Sequence, residues 1–393
     1  MSGVNVMLFR STDAGAPTLS GTVGSVIAIL DACLKDGYNS KAVTITRVGT
    51  TATAACATAH GYAADGLTKV NHSGAAQAEY NGDFKIFNVT TLTYDFTVTG
   101  TPATPATGTI TAKVAPIGWT KPFSGTNKGV YRSNESTATK MYLRVDDNNP
   151  NADTNQTSAL RGYEIMTDID TGIGPFPNVA QMATGIFLNK SYTTGSAVRK
   201  WVLVGDGYSF HFFYAQNVNY PDIYRQFFFG DIASEMASDP YGCLIYGDTI
   251  SSPTSNPENG QGTYIINASG LTTAQTGHYM ARAYGQTGSS IGVGKLSSYS
   301  LNSTTVFGNG PIPFPSPQNN GLYVAPVLIG DPSNIIRGQI KSIYYPLHSR
   351  PLGHGGVSSN FSAMPGHTLY AVATANSANI PGETHVDITG PWR

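Results

Sequence analysis

Read by its apolar spacing, the chain predicts one helix and a long succession of strands. Val23, Val26, Ile27, Leu30 and Leu34 recur at i, i+3 and i+4, the interval that gathers side chains on one face of a helix. Thr22 stands where an N-cap belongs, Lys35 falls in the last turn and Gly37 marks the stop. Such a stripe is expected to serve the core of its own domain. Elsewhere the period is two. Val43 to Val48 alternates, and after a Gly-punctuated stretch (His60-Gly61-Tyr62, Asp65-Gly66) the alternation returns in Asp83–Val89, Thr93–Val98 and Thr109–Val114. Short runs rich in Thr, Val, Tyr and Phe between turn residues are the pattern of a small antiparallel sandwich.

Beyond residue 117 the strands continue. Met141–Asp147 and Arg161–Met166 alternate and are followed by acids; Lys200–Gly205 and Tyr208–Tyr214 are joined by Gly-Asp-Gly in the manner of a hairpin, and Tyr224–Ile232 extends the same sheet. Pro175 to Met182 is expected to hold a short helical turn. Residues 248–321 are dominated by Ser, Thr, Gly, Asn and Pro with a short strand at Thr263–Ile266, and apolar strands resume in 322–393. The expected fold is therefore mainly β. A β-sandwich core carries one N-terminal helix and an inserted small sandwich, divided as 1–41 (part of the main domain), 42–116 (the insertion), 117–247 (main sandwich), 248–321 (loop-rich) and 322–393 (strands completing or adjoining the main domain). The seams near Ala42 and Ala115-Pro116 are expected to lie side by side, as insertions into surface loops do.

The segment His60-Gly61-Tyr62 through Tyr80-Asn81-Gly82-Asp83-Phe84 to Thr107-Gly108-Thr109 resembles the small immunoglobulin-like modules of tailed-bacteriophage virion proteins. The flanking sequence is similar to uncharacterised structural proteins of the same particles. It includes Gly118-Trp119-Thr120-Lys121-Pro122-Phe123, Trp201-Val202-Leu203-Val204-Gly205-Asp206-Gly207 and Ile336-Arg337-Gly338-Gln339-Ile340-Lys341. The resemblance implies a virion component, in tail or baseplate before head or neck, made in the host cytoplasm. It brings no catalytic residue, cofactor or metal with it. Its implied partners are further copies of the chain in a cyclic homo-oligomer, trimeric or hexameric, and other virion proteins. The rival expectation is an adhesin or fibre that binds host-surface glycans.

Composition agrees with that direction. Of 393 residues only 12% are charged, while Gly numbers 44 and Tyr 22, against a usual charged share of about 25%. Charge is depleted and Tyr enriched where surfaces meet neighbours. A net charge of −1 lacks the basic excess needed to neutralise phosphates, so nucleic acid is not an expected partner. No apolar run approaches the ~20 residues that span a bilayer, so membrane insertion is not expected either. Cys33, Cys56 and Cys243 have no metal spacing, and their odd number argues for reduced, buried thiols.

Candidate chemistry is sparse. Asp170-Thr171-Gly172 has the core of an aspartic-protease motif but no second copy, and Asp168 interrupts the apolar strand such a site needs. Asp146, Asp147, Asp153, Asp168 and Asp170 are candidate Ca²⁺ ligands, although turn acids are the simpler reading. His348, His354 and His367 have no zinc spacing. Gly205-Asp206-Gly207 and Gly292-Val293-Gly294-Lys295 lack phosphate-loop spacing, and Ser290 in Gly288-Ser289-Ser290-Ile291-Gly292 lacks the strand and helix of a nucleophile elbow. The chain is therefore expected not to be an enzyme. The aromatic cluster Phe210, Phe212, Phe213, Tyr214, Tyr220, Tyr224 and Phe227–Phe229 is expected to divide between a core face and an outward face used for subunit contact, with sugar stacking as the alternative.

Overall fold

The computed structural model describes residues 6–149, 156–191, 195–215, 218–219, 221–247, 277–296, 314–333, 335–348, 351–359, 361, 364–377 and 380–392. Its fold is mainly β, with 47% of residues in strands and 5% helical. Three sheets and one closed barrel account for the strands.

The central sheet runs, in spatial order, Met7–Arg10, Trp201–Gly205, Ser209–Tyr214, Arg225–Asp231, Cys243–Tyr246, His278–Met280 and Ile291–Gly292. Its neighbours are antiparallel, and the Gly205 to Phe210 hairpin closes with the Asp206 amide on Ser209 O at 2.9 Å. Side chains alternate across a strand, and here both faces are covered. Leu203, Phe210, Phe212, Tyr214, Phe227 and Phe229 enter one apolar cluster with Leu143, Val145, Leu160, Phe176 and Leu188 of a second sheet. Val202, Val204, Phe213, Phe228, Leu244 and Tyr246 enter another with Ile329, Ile340, Ile343, Val372 and Val386 of a third.

The second sheet orders Gly172–Phe176, Gln156–Met166, Tyr142–Asp146, Lys128–Arg132 and Thr120–Gly125, with Ile186–Ser191 also pairing to Gln156–Met166. The third is built from Gly294–Leu296, Val324–Gly330, Ile336–Pro346, Ile380–Asp387, Leu369–Ser377 and Val357–Ser358, so strands of 322–393 form most of the layer that closes the stack. The aromatic run is thus core throughout. Phe210, Phe212, Phe213, Tyr214, Phe227 and Phe228 are fully buried and Phe229 is 1% exposed, which corrects the expectation of an outward aromatic face. A strand buried on both sides reads as a continuous apolar run, and that is what Phe227-Phe228-Phe229 is. Tyr220 lies outside the described residues.

The helix forms, with a different start. It covers Ser25–Leu30 and continues as a wider π turn over Asp31–Asp36, ending at Gly37 with φ 71° as the spacing predicts. Its N-cap is Gly24 at φ 81° in place of Thr22. The cap comes from a distant residue: Asp147 Oδ2 accepts the Val26 amide at 2.8 Å. Val23 consequently precedes the helix and is half exposed, while Val26, Ile29, Leu30, Cys33 and Leu34 are buried. Pro175 ends up in a strand, and the expected turn forms just after it, where the Met182 amide reaches Asn178 O at 3.0 Å.

The inserted segment closes into a barrel of six antiparallel strands, in the order Tyr38–Val48, Thr51–Cys56, Thr93–Thr97, Gly82–Phe87, Lys69–Ala75 and Gly108–Val114. Closure removes the exposed edges that an open sandwich leaves. Entry and exit are adjacent: Tyr38 pairs with Val114, and the returning chain bonds the helix end through Ile117 N to Cys33 O (2.8 Å) and Gly118 N to Leu34 O (2.9 Å).

Candidate functional site

A cleft of about 620 Å³ opens beside the two-residue strand Ala233–Ser234, lined by Thr137, Thr139, Ser234, Met236, Ser238 and Lys341 among others. Its acids are already engaged. Asp239 Oδ2 takes Arg337 Nη2 at 3.1 Å and the Ser234 hydroxyl at 3.1 Å, while its Oδ1 takes the Tyr241 amide at 2.9 Å. Asp231 accepts the Thr139 amide at 2.8 Å and the Thr139 hydroxyl. The Arg337–Asp239 pair is 1% exposed on both sides. Ser234 and Thr139 each donate their hydroxyl to a carboxylate, Asp239 and Asp231, that further hydrogen bonds hold in place. The cleft offers small side chains, hydroxyls and the exposed Lys341.

The acids proposed as cation ligands separate into two environments. Asp170 is exposed and pairs with Lys128 at 3.0 Å and with Arg144; hydrogen bonds from Arg144 and then Lys128 hold its carboxyl below the usual range. Asp170 is thus an ion-paired carboxylate held between two cations. Asp146 lies 3.3 Å from Arg144 and 3.6 Å from Lys128. Asp168 accepts the adjacent Ile169 amide, and Asp153 lies outside the described residues.

Asp147 is different. It points inward, fully buried, against the equally buried Lys190, and Ser158 Oγ donates to its Oδ1 at 2.6 Å. Lys190 Nζ also reaches Thr22 O at 2.7 Å, and burial lowers the pKa of the ammonium despite the carboxylate beside it. One buried node therefore joins the helix start to strands Gln156–Met166 and Ile186–Ser191. Sequence reading missed it, although the signal was present: Leu143, Val145 and Asp147 share one strand parity, as do Ile186, Leu188 and Lys190, and the first two of each set are core residues.

The three candidate histidines stay apart. His348 Nε2 accepts the Tyr323 amide at 2.8 Å, His354 stacks on Tyr224 with ring centroids 4.6 Å apart, and His367 Nδ1 lies 2.8 Å from Asp387. Among the described residues no group of three His, Cys, Asp or Glu side chains is placed to hold a metal ion. Ser290 is buried with no hydrogen-bond partner for its hydroxyl, and it precedes the short strand Ile291–Gly292 without a following helix. Asp206 Oδ1 caps Tyr208 and Ser209 amides, so Gly205-Asp206-Gly207 is a turn, and Gly292–Lys295 runs into the strand Gly294–Leu296. The three cysteines are buried and form no disulfide. Among the described residues no helix is long and apolar enough to cross a membrane.

Comparison with known protein families and with curated proteins finds no match to this chain.

Proposed function

We infer that the chain is a non-enzymatic structural component of a tailed-phage virion, in its tail or baseplate, that works by self-association and by docking to other virion proteins. The observation that carries this reading is the module: the strands between Tyr38 and Val114 close into a barrel between the helix and Gly118, and residues within it carry the resemblance to modules of phage particles. Supporting it are the low charged share and the cleft of hydroxyls and small side chains with its acids already bonded. A fold of stacked antiparallel sheets hosts many activities and selects none by itself.

The glycan-binding alternative loses the aromatic cluster that motivated it, because those rings lie between sheets. A mass-spectrometric inventory of purified particles, with heads and tails separated, tests the reading. Peptides from both the barrel and the flanking sheets are expected at stoichiometric level in the tail fraction. Recovery in the head fraction would move the protein to a head or neck position, and absence from washed particles would refute virion membership.

A further inference from the structure

An inserted domain joined by two adjacent strands is free to swing unless something else holds it. Here a second set of contacts does. The barrel loop between Cys56 and Lys69 turns back onto the first strand of the central sheet and the segment that follows it. Arg10 is the centre of the contact: its Nε lies 3.1 Å from Asp13 Oδ1, its amide 2.8 Å from Asp13 Oδ2, and its Nη2 reaches 2.5 Å from Asp65 Oδ2 in the barrel loop. Asp65 in turn orders its own loop, because its Oδ1 accepts the Leu67 amide at 2.9 Å and the Thr68 amide at 3.2 Å. Leu67 packs against the apolar cluster between the central and third sheets. Body and barrel thus exchange an ion pair and an apolar side chain through one loop.

The steric fit at the seam is close. Gly61 has φ +71°, and a Cβ placed there would stand 2.5 Å from Ala14 Cβ, so the loop rests on the body at a point where no larger residue fits. Nearby, Asn39 Nδ2 donates to His60 O at 2.7 Å, and the Tyr62 hydroxyl lies 2.8 Å from Ala112 O and 3.1 Å from Asn39 O. The buried apolar cluster runs unbroken from Met7 and Cys33 through Tyr38 into the barrel residues Tyr62, Val70 and Tyr94. Contacts between domains that only tumble together are usually sparse; these form a continuous seam.

We propose that the Arg10–Asp13–Asp65 contact and the Gly61–Ala14 fit form an orientation lock, which holds the barrel in one fixed direction so that its far end, at Val48-Gly49-Thr50, is presented at a set position relative to the body. The Arg10 and Asp65 side chains are each 23% exposed, a half-wet pair of modest strength, and behind them the loop rings His60 and Tyr62 pack on Tyr94 of the barrel core with centroids 5.4 and 5.5 Å apart.

Spin labels at Thr50→Cys, on the far end of the barrel, and Ser124→Cys, on the second sheet, report the orientation as a distance distribution by pulsed electron resonance; the native cysteines are buried. The otherwise unchanged full chain is expected to give one narrow distribution. Adding Arg10→Ala with Ala14→Phe is expected to broaden it severalfold, while amide protection of Tyr94 and Phe96 stays unchanged. Asp65→Asn, which leaves an acceptor for the Leu67 and Thr68 amides, is expected to broaden it to a lesser extent and guards against a folding defect in the double variant. A broad distribution in the unmodified seam, or a narrow one that persists in both variants, overturns the proposal.

Discussion

Replacing Asp147 by alanine tests how the body is held together. The substitution removes three things at once: the acceptor for the Val26 amide, the acceptor for Ser158 Oγ, and the countercharge of Lys190. The last dominates. A fully buried ammonium left without its partner costs about 3–5 kcal/mol, whereas loss of a helix cap costs about 1 kcal/mol. These effects overlap, so a total near 4 kcal/mol is expected, a large part of the ~5–15 kcal/mol that stabilises a typical protein. Urea unfolding followed by the fluorescence of Trp119 and Trp201 reads it out, because both indoles lie in the apolar cluster that also contains the helix. Two comparisons separate charge burial from mere removal of an aspartate. Asp170→Asn alters an exposed ion-paired residue and is expected to cost under ~1 kcal/mol. Asp147→Leu combined with Lys190→Met replaces both charges with apolar groups and is expected to recover most of the loss, short of the missing cap. A cost for Asp147→Ala below ~1 kcal/mol, or a double variant no more stable than the single one, would refute the assignment of the pair as the node joining helix and sheet.

Much of this fold is legible in the period of the sequence. The two-residue alternation of Val43–Val48, Thr93–Val98 and Thr109–Val114 gives barrel strands, and the Gly-Asp-Gly link gives its hairpin, because local pattern and tertiary demand agree there. Three features were hidden for physical reasons. The helix start moved because a residue 121 positions away supplies the cap, and local spacing carries no information about such a partner. The aromatic strands lack polar alternation because they have no solvent face, and one chain's pattern does not say whether the second covering layer is its own or a neighbour's. Asp147 reads by itself as a turn acid or cation ligand, although strand parity places it, like Lys190, inward. The Asp-Thr-Gly acid is paired with cations, and the three candidate histidines have three separate surroundings. Residues 248–276 and 297–313, which held the expected Thr263–Ile266 strand and most of the loop-rich segment, lie outside the described residues.

Deleting residues 42–116 and joining Lys41 to Ile117 is expected to preserve the strand signature in circular dichroism, since both inter-sheet clusters remain, but to lower the melting temperature by uncovering Met7, Leu8 and Tyr38; an unfolded product would show that the barrel is required for the body. Ser290→Ala removes a buried hydroxyl that has no partner and is expected to be neutral or slightly stabilising in a thermal melt, with no hydrolytic activity towards ester or peptide substrates altered in it or in Asp170→Asn. Acid is expected to destabilise the barrel through His72, which is 1% exposed among Phe84, Tyr94 and Phe96, with Nε2 2.7 Å from the Tyr94 hydroxyl. Burial lowers its pKa to about 4 from an ordinary 6.5. The unfolded chain therefore takes up the proton first, so the stabilisation is complete above pH 6.5, declines as pH falls below it, and is fully lost once pH passes below 4. At 1.36 kcal/mol per pKa unit the full loss is about 3 kcal/mol. His211, buried between Ser342 and Trp392 and lowered to about 3, adds a larger full loss in the body that extends further into acid. Hydrogen exchange of the strand Thr93–Thr97, followed from pH 7 to 4.5 with intrinsic rates corrected, should show opening that becomes easier through this window in the native sequence. His72→Phe with Tyr94→Phe, which takes away both the titrating ring and the hydroxyl it bonds, should flatten that dependence; an equally steep one would mean that another group drives the acid response of the barrel.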